Sequence, residues 1–244
     1  GRDALGGVTT TGANYTTAIG FGALAALTTG AGNTAVGYQS LDALTGSGQN
    51  TALGYGTLGT LVDGDQNTAI GYNAMTSGTH TSMNFNTVIG ANAGDAFTSV
   101  AIEHVTVLGA NAVGGALTAA ANGTVAIGSS ALGALTSGVQ NVAVGYTALD
   151  ELITGGLNTA IGHEALANAD GAESGNTAVG SQALFYMDGD ATNANTAVGT
   201  DSQFNNVTGT NNTSVGYNTM KGATGQSNSN NTAVGKDALL AITD

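Results

Sequence analysis

The chain contains no cysteine, no proline and no tryptophan, and only three of its 244 residues, Arg2, Lys221 and Lys236, are basic. Without cysteine there is neither a disulfide framework nor a thiolate metal centre. Charged residues make up 8%, against about 25% in an average soluble protein, so the surface is not that of an ordinary globular domain. Sixteen acidic residues set the formal net charge at −13, which opposes binding to a polyanion, and nucleic acid is not expected as a partner. No apolar run approaches the roughly 18 residues that span a bilayer, and no basic segment with a following apolar stretch opens the chain, so direct membrane insertion is not expected either. The sequence lacks a phosphate-cradling GxxxxGKS or GxGxxG, an EF-hand and a GGxGxD calcium repeat. Its histidines, His80, His104 and His163, are far apart, with no serine–acid or cysteine arrangement at corresponding places. An enzyme is therefore not expected. What the chain does have is 40 glycines together with 41% hydrophobic residues. A disordered linker would be depleted in aliphatics, so this chain can bury a core.

The glycines are not scattered. A pentad, NTAVG at Asn33–Gly37, returns as NTALG at Asn50, NTAIG at Asn67 and Asn158, and NTAVG at Asn176, Asn195 and Asn231. Weaker copies share its last residue, giving the regular series Gly20, Gly37, Gly54, Gly71, Gly90, Gly109, Gly128, Gly145, Gly162, Gly180, Gly199, Gly216 and Gly235. Self-similarity at a nearly fixed period is the mark of a repeat architecture. Gly1-Arg2-Asp3-Ala4-Leu5 matches Gly235-Lys236-Asp237-Ala238-Leu239, so the chain opens in mid-repeat and reads as a segment of a longer fibre.

Each position of the unit has its own chemistry. The residue before the glycine is always Ile, Val or Leu, and three before it stands Thr in eleven of thirteen copies. This β-branched alternation predicts a short strand with the aliphatic residue in the core. Three after the glycine a small residue recurs, usually followed by Leu or Met. Pairs such as Leu24/Leu27, Leu41/Leu44 and Leu132/Leu135 fit one turn of 3₁₀ or α-helix. A unit of about 18 residues cannot close its own core and must stack on its neighbours. The expectation is one domain over residues 1–244, an all-β parallel solenoid of about 13 coils, roughly 60 Å long at the spacing of parallel strands. Asn opens ten of the pentads, and stacked Asn side chains can hydrogen-bond from coil to coil.

The residue two before the glycine has the opposite parity to the aliphatic one and should be polar if it met water. It is instead Ala at Ala18, Ala35, Ala52, Ala69, Ala126, Ala143, Ala160, Ala178, Ala197 and Ala233. An exposed strip of small apolar residues predicts packing against other copies of the chain under cyclic symmetry.

The pentad followed by Tyr38-Gln39-Ser40-Leu41 or Tyr72-Asn73-Ala74-Met75 resembles the head repeat of YadA-like trimeric autotransporter adhesins, and similar repeats occur in bacteriophage tail fibres. The resemblance covers essentially the whole chain. It implies a left-handed parallel β-roll, three chains around a common axis, and a role as adhesive head or fibre shaft. The present unit is longer than that family's, the excess lying in the LxxL turn and the polar loop, and neither a coiled-coil stalk nor a membrane anchor is present in the sequence.

Phe21, Tyr38, Tyr55, Tyr72, Tyr146 and Tyr217 directly follow repeat glycines and read as rings stacked on neighbouring coils rather than as a sugar-binding ladder; His163 takes the same place after Gly162. No cofactor is expected; the acid pairs Asp63/Asp65 and Asp188/Asp190 are the candidate Ca²⁺ ligands, although solvated turn acids are the simpler reading. The divergent inserts 77–85, 96–104, 186–193 and 222–230 are the expected contact loops. Together these features predict an extracellular, non-enzymatic fibre segment of a virion tail or bacterial surface. The resemblance implies that it would be homotrimeric, and it would attach to a cell-surface receptor such as a glycan by multivalent loop contacts. The alternatives are an ice- or mineral-binding solenoid and a head-to-tail filament.

Overall fold

The structure is a computed structural model that describes residues 1–7, 12–76, 80–81, 83–98, 101–117, 121–189, 193–222 and 228–241. The chain divides into two compact units, Gly1–Gly123 and Thr124–Asp244. Both are built from the same repeat, and no α-helix occurs among the described residues. In the first unit β1 (Thr17–Ile19), β2 (Thr34–Val36), β3 (Thr51–Leu53), β5 (Thr68–Ile70), β7 (Thr87–Ile89) and β8 (Thr106–Leu108) pair in parallel, each with the next. Between them, β4 (Leu61–Asp63) pairs with β6 (His80–Thr81) as a small parallel ladder at the loop side. In the second unit β9 (Val125–Ile127), β10 (Val142–Val144), β11 (Thr159–Ile161), β12 (Thr177–Val179), β13 (Thr196–Val198), β14 (Thr213–Val215) and β15 (Thr232–Val234) do the same. The register advances by one repeat at every step, as in Thr34↔Thr51, Ala35↔Ala52 and Val36↔Leu53. The expected all-β parallel solenoid, one strand of the main ladder to each repeat, is therefore the observed fold.

Its interior is the reverse of the one expected from strand parity. The middle residue of each strand of the main ladders points into the coil: Ala35, Ala52, Ala69, Ala126, Ala143, Ala160, Ala178 and Ala197 are fully buried, as are Val88, Val107 and Ser214 in the same place, Ala233 nearly so, and Ala18 in β1 is half-buried. These residues are core of their own chain, and the inter-chain packing assigned to the alanines above is withdrawn. The reason is steric. Across the coil, the two large residues of the LxxL segment, such as Leu41 and Leu44 or Leu132 and Leu135, are fully buried. They fill a narrow interior, and only a small residue fits opposite them at the close packing of a protein core. Thr and the aliphatic residue flank the alanine and so turn outward.

The LxxL segment is not a helical turn either. Leu27 N–H does donate to Leu24 O (3.3 Å), and Leu44 N–H to Leu41 O (3.3 Å), as i to i+3 spacing requires. But Leu24, Leu41 and Leu58 each have φ of +52°, and Gln39, two residues before Leu41, has +49°. The segment alternates between right- and left-handed backbone, and so bends the chain back without a helix axis. The repeat glycine closes the corner. Gly37 has φ of +143°, a region closed to other residues, and a methyl group added to it would overlap the Gly54 carbonyl of the next coil.

The asparagines form an internal column in each unit. Asn50 Oδ1 accepts from both the backbone N–H (3.0 Å) and Nδ2 (3.0 Å) of Asn67, while Asn67 Nδ2 also donates to Met83 O (2.7 Å). Asn67 Oδ1 in turn receives Asn86 N–H (3.2 Å) and Nδ2 (3.1 Å). The pattern repeats in the second unit, from Asn141 to Asn158 to Asn176 and from Asn195 to Asn212 to Asn231. Asn33, Asn50, Asn67, Asn141 and Asn158 are fully buried, so each removed amide leaves neighbours unsatisfied, at about 1–3 kcal/mol per group. Asn67→Ala is expected to lower unfolding stability by about 3 kcal/mol or more. The adjacent Gln66→Ala, which removes only an exposed Gln66–Gln49 side-chain contact, should change it by less than about 0.5 kcal/mol. Urea denaturation of the two variants checks the difference.

Candidate functional site

With alanine inside, each coil presents Thr, then Ile, Val or Leu, then the glycine corner and the residue after it. In the first unit the aliphatic column runs Ile19, Val36, Leu53, Ile70, Ile89 and Leu108, with Ile19 58%, Leu53 46% and Leu108 41% exposed and the others half-buried. Beside it Phe21, Tyr38, Tyr55 and Tyr72 stack with centroids 5.4, 4.9 and 5.3 Å apart and interplanar angles of 13°, 9° and 18°. In the second unit Ile127, Val144, Ile161, Val179, Val198, Val215 and Val234 make the equivalent column, of which Ile161, Val215 and Val234 are exposed. Tyr146 there stacks on His163 at 5.6 Å. These aromatic residues thus lie as the sequence reading expects, ring upon ring. Their faces cover one another, which leaves edges outward, so a sugar could stack only on the end rings of a ladder. The outward aliphatic column is a surface that the sequence reading misses, because it assigns these residues to the core. The signal for it is the recurring large pair of the LxxL segment, which already fills the interior.

The acid pairs divide. Asp63 accepts from the Ser47 hydroxyl and Asp65 Oδ1 from Gly48 N–H (2.7 Å), both one coil earlier, so these carboxylates brace loops. Asp190 lies outside the described residues. Asp188, however, meets Asp170 and the buried Glu173 from the preceding loop, with one carboxylate oxygen of each within 4.8 Å of the others. Glu173 Oε2 accepts Gly171 N–H (3.0 Å). Three hard oxygen donors at this separation could hold a divalent cation. Much of the four divergent inserts also lies outside the described residues.

His104 stacks on Phe85 at 5.1 Å, and His163 Nδ1 is 3.6 Å from Glu164 Oε2. The His80 side chain lies outside the described residues. Lys221 sits in a built environment: its Nζ is 2.7 Å from Asp201 Oδ2 and 5.1 Å from the centroid of Phe204. No protein-family model matches the chain, nor does any curated protein or solved structure.

Burial raises the pKa of Asp42, Asp95 and Asp150, opposed by backbone N–H donors such as that of Gly133 at Asp150. A carboxyl whose folded pKa exceeds its unfolded one binds its proton more tightly in the fold. Its contribution to stability is therefore present at low pH and lost as the pH rises through the folded value. Thermal melts should accordingly show the melting temperature rising as the pH falls through the raised folded values towards the ordinary aspartate value of 3.8. Asp42→Asn combined with Asp95→Asn should raise it at pH 7 and flatten that slope.

Proposed function

We propose that the chain is a non-enzymatic, extracellular fibre segment, built as a homotrimer and serving attachment of a virion tail or bacterial surface to a host cell. A β-solenoid is compatible with a structural, fibre-like segment, because strand pairing and buried amides tie coil to coil. The observation that carries the reading is the outward aliphatic column with its flanking rings. An apolar band repeated from coil to coil in both units is more than a lone soluble chain exposes at random. Three copies packed through these columns would remove it from water, and this is the arrangement that the likeness to YadA-like and tail-fibre repeats implies. The loops would then face outward in triplicate, and weak contacts to a cell-surface receptor, such as a glycan, would add through avidity. No cofactor takes part in this role; a divalent ion at Asp188 would brace a loop.

The test is mass and attachment together. Light scattering on the purified chain should give three times the 23.6 kDa of one chain. Leu53→Asp with Ile70→Asp should give the single-chain mass. Substitution of the exposed insert residues Thr98, Tyr186, Asp188 and Ser229 by alanine, which keeps the buried Met83, Phe97, Ile102 and Met187 in place, should leave the trimer intact and weaken binding of labelled protein to host cells. A single-chain mass for the unaltered protein at micromolar concentration sinks the reading.

A second reading gains support from the same reversal of parity. Thr17, Thr34, Thr51, Thr68, Thr87 and Thr106 lie half-buried or exposed on the outward face beside the aliphatic column. Such paired columns at regular strand spacing could order water or match a crystal lattice. If the face is occupied by sister chains, no thermal hysteresis is expected. Hysteresis that disappears in Thr51→Tyr would move the function to ice binding.

A further inference from the structure

The fifth residue after each repeat glycine forms a column of its own, and in the second unit it reads Gly133, Asp150, Ala167, Phe185, Phe204, Lys221 and Leu240. Phe185 and Phe204 stack at 5.2 Å with an interplanar angle of 7°, and Tyr186 meets both edge-on. Lys221 covers the Phe204 end of the stack, its ammonium held by Asp201. At the Phe185 end the column drops to Ala167, one coil without a large side chain, and an open notch of about 180 Å³ results. Its walls include Phe185, Tyr146 and three acidic residues, Asp150, Glu151 and Glu164.

We propose that this notch binds a primary ammonium group carried on an alkyl chain, seated on Phe185 as Lys221 is seated on Phe204, with Asp150, Glu151 and Glu164 as its counter-charges. This goes beyond the attachment role and does not depend on it. The chain supplies no lysine or arginine of its own here: Lys221 is committed to the far end of the stack, Lys236 lies 3.7 Å from Asp237, and Arg2 belongs to the other unit. His163 stacks on Tyr146 and lies beside Glu164. Glu164 Oε2 is fixed by Gln182 Nε2 (2.6 Å). Thr147, also on the wall, has a buried Oγ1 that makes no hydrogen bond. Asp150 is held half-buried against the Gly133 N–H with its pKa raised, a cost that a cation alongside would offset. The aromatic walls choose among cations. A hard divalent ion wants six or more oxygen ligands and gains little from rings, whereas an alkylammonium gains from the ring face and buries its methylenes there.

Isothermal titration with cadaverine, and separately with Nα-acetyl-lysine amide, tests the assignment. Pentane-1,5-diol serves as the neutral control. Both amines should bind one per chain and the diol should not. Ala167→Phe fills the notch by extending the phenylalanine stack while keeping every carboxylate and the net charge, and it should abolish saturable binding of both amines. Should that variant fail to fold, Glu151→Gln with Glu164→Gln, and separately Phe185→Leu, should each weaken binding tenfold or more. Tighter binding of the lysine derivative marks a protein side chain as the natural source, and tighter binding of cadaverine marks a free amine; either order supports the site. Undiminished binding in Ala167→Phe, or in the substitute variants, would show that the amines merely follow the net negative charge and would overturn the proposal.

Discussion

The buried asparagines of this protein depend on the coils around them. In the run from Asn50 through Asn67 to Asn86 the oxygen of each of the first two takes two donors from the asparagine of the following coil, and the nitrogen of each of the three reaches a loop carbonyl one coil on. A coil displaced by a single residue would strand all of these groups in the interior, where an unpaired amide is costly. The column therefore enforces the register that strand pairing of only three residues could not hold alone. In the first unit it ends at Val105, whose backbone N–H donates to Asn86 Oδ1 (3.0 Å) but whose side chain has no amide to pass on. In the second unit an equivalent column starts at Asn141.

Given that register, packing follows from volume. The LxxL residues occupy the middle of each coil, the strand contributes an alanine, and the glycine corner brings successive backbones closer than any side chain allows. The coil built on Gly199 shows how tightly these choices are linked. There the LxxL positions hold Gln203 and Asn206, and the strand of the following coil, built on Gly216, carries Ser214 in place of alanine. The replacements answer one another: Gln203 Nε2 donates to Ser214 Oγ (2.9 Å), Ser202 and Ser214 share a 2.5 Å hydrogen bond, and Asn206 Nδ2 donates to Gln203 Oε1 (3.0 Å). A polar core layer is tolerated because all its members changed together.

The period, the strands, the glycine corners and the asparagine ladder were legible in the sequence because each leaves a mark at a fixed phase. Which strand face points inward was not. Alternation over three residues distinguishes two faces without saying which is buried, and Val36 looks more like core than Ala35. The deciding fact lay elsewhere in the repeat, at Leu41 and Leu44. Spacing likewise could not tell an i to i+3 turn of helix from the left-handed bend at Leu41, although Asn73, Asn92, Asn111 and Asn218 at the position two after the glycine are residues that tolerate such backbone. Nor could it foresee the meeting of Asp170 and Glu173 with Asp188, or the notch at Ala167, since both depend on side chains from different coils.

The short step from Thr51 to Thr68 and the longer one from Thr68 to Thr87 lead to the same strand register, so additional residues are taken up in the loops and leave the strands unaware of them. A coil of the common kind is consequently an interchangeable part: it offers the same corner, amide and leucines to the coil before it and the coil after it, whereas the coils built on Gly109 and Gly199 do not. Unequal crossing-over between such similar stretches of coding sequence could add or delete a coil in one event and still yield a foldable product, making the number of coils an inherited variable as open to selection as any single residue.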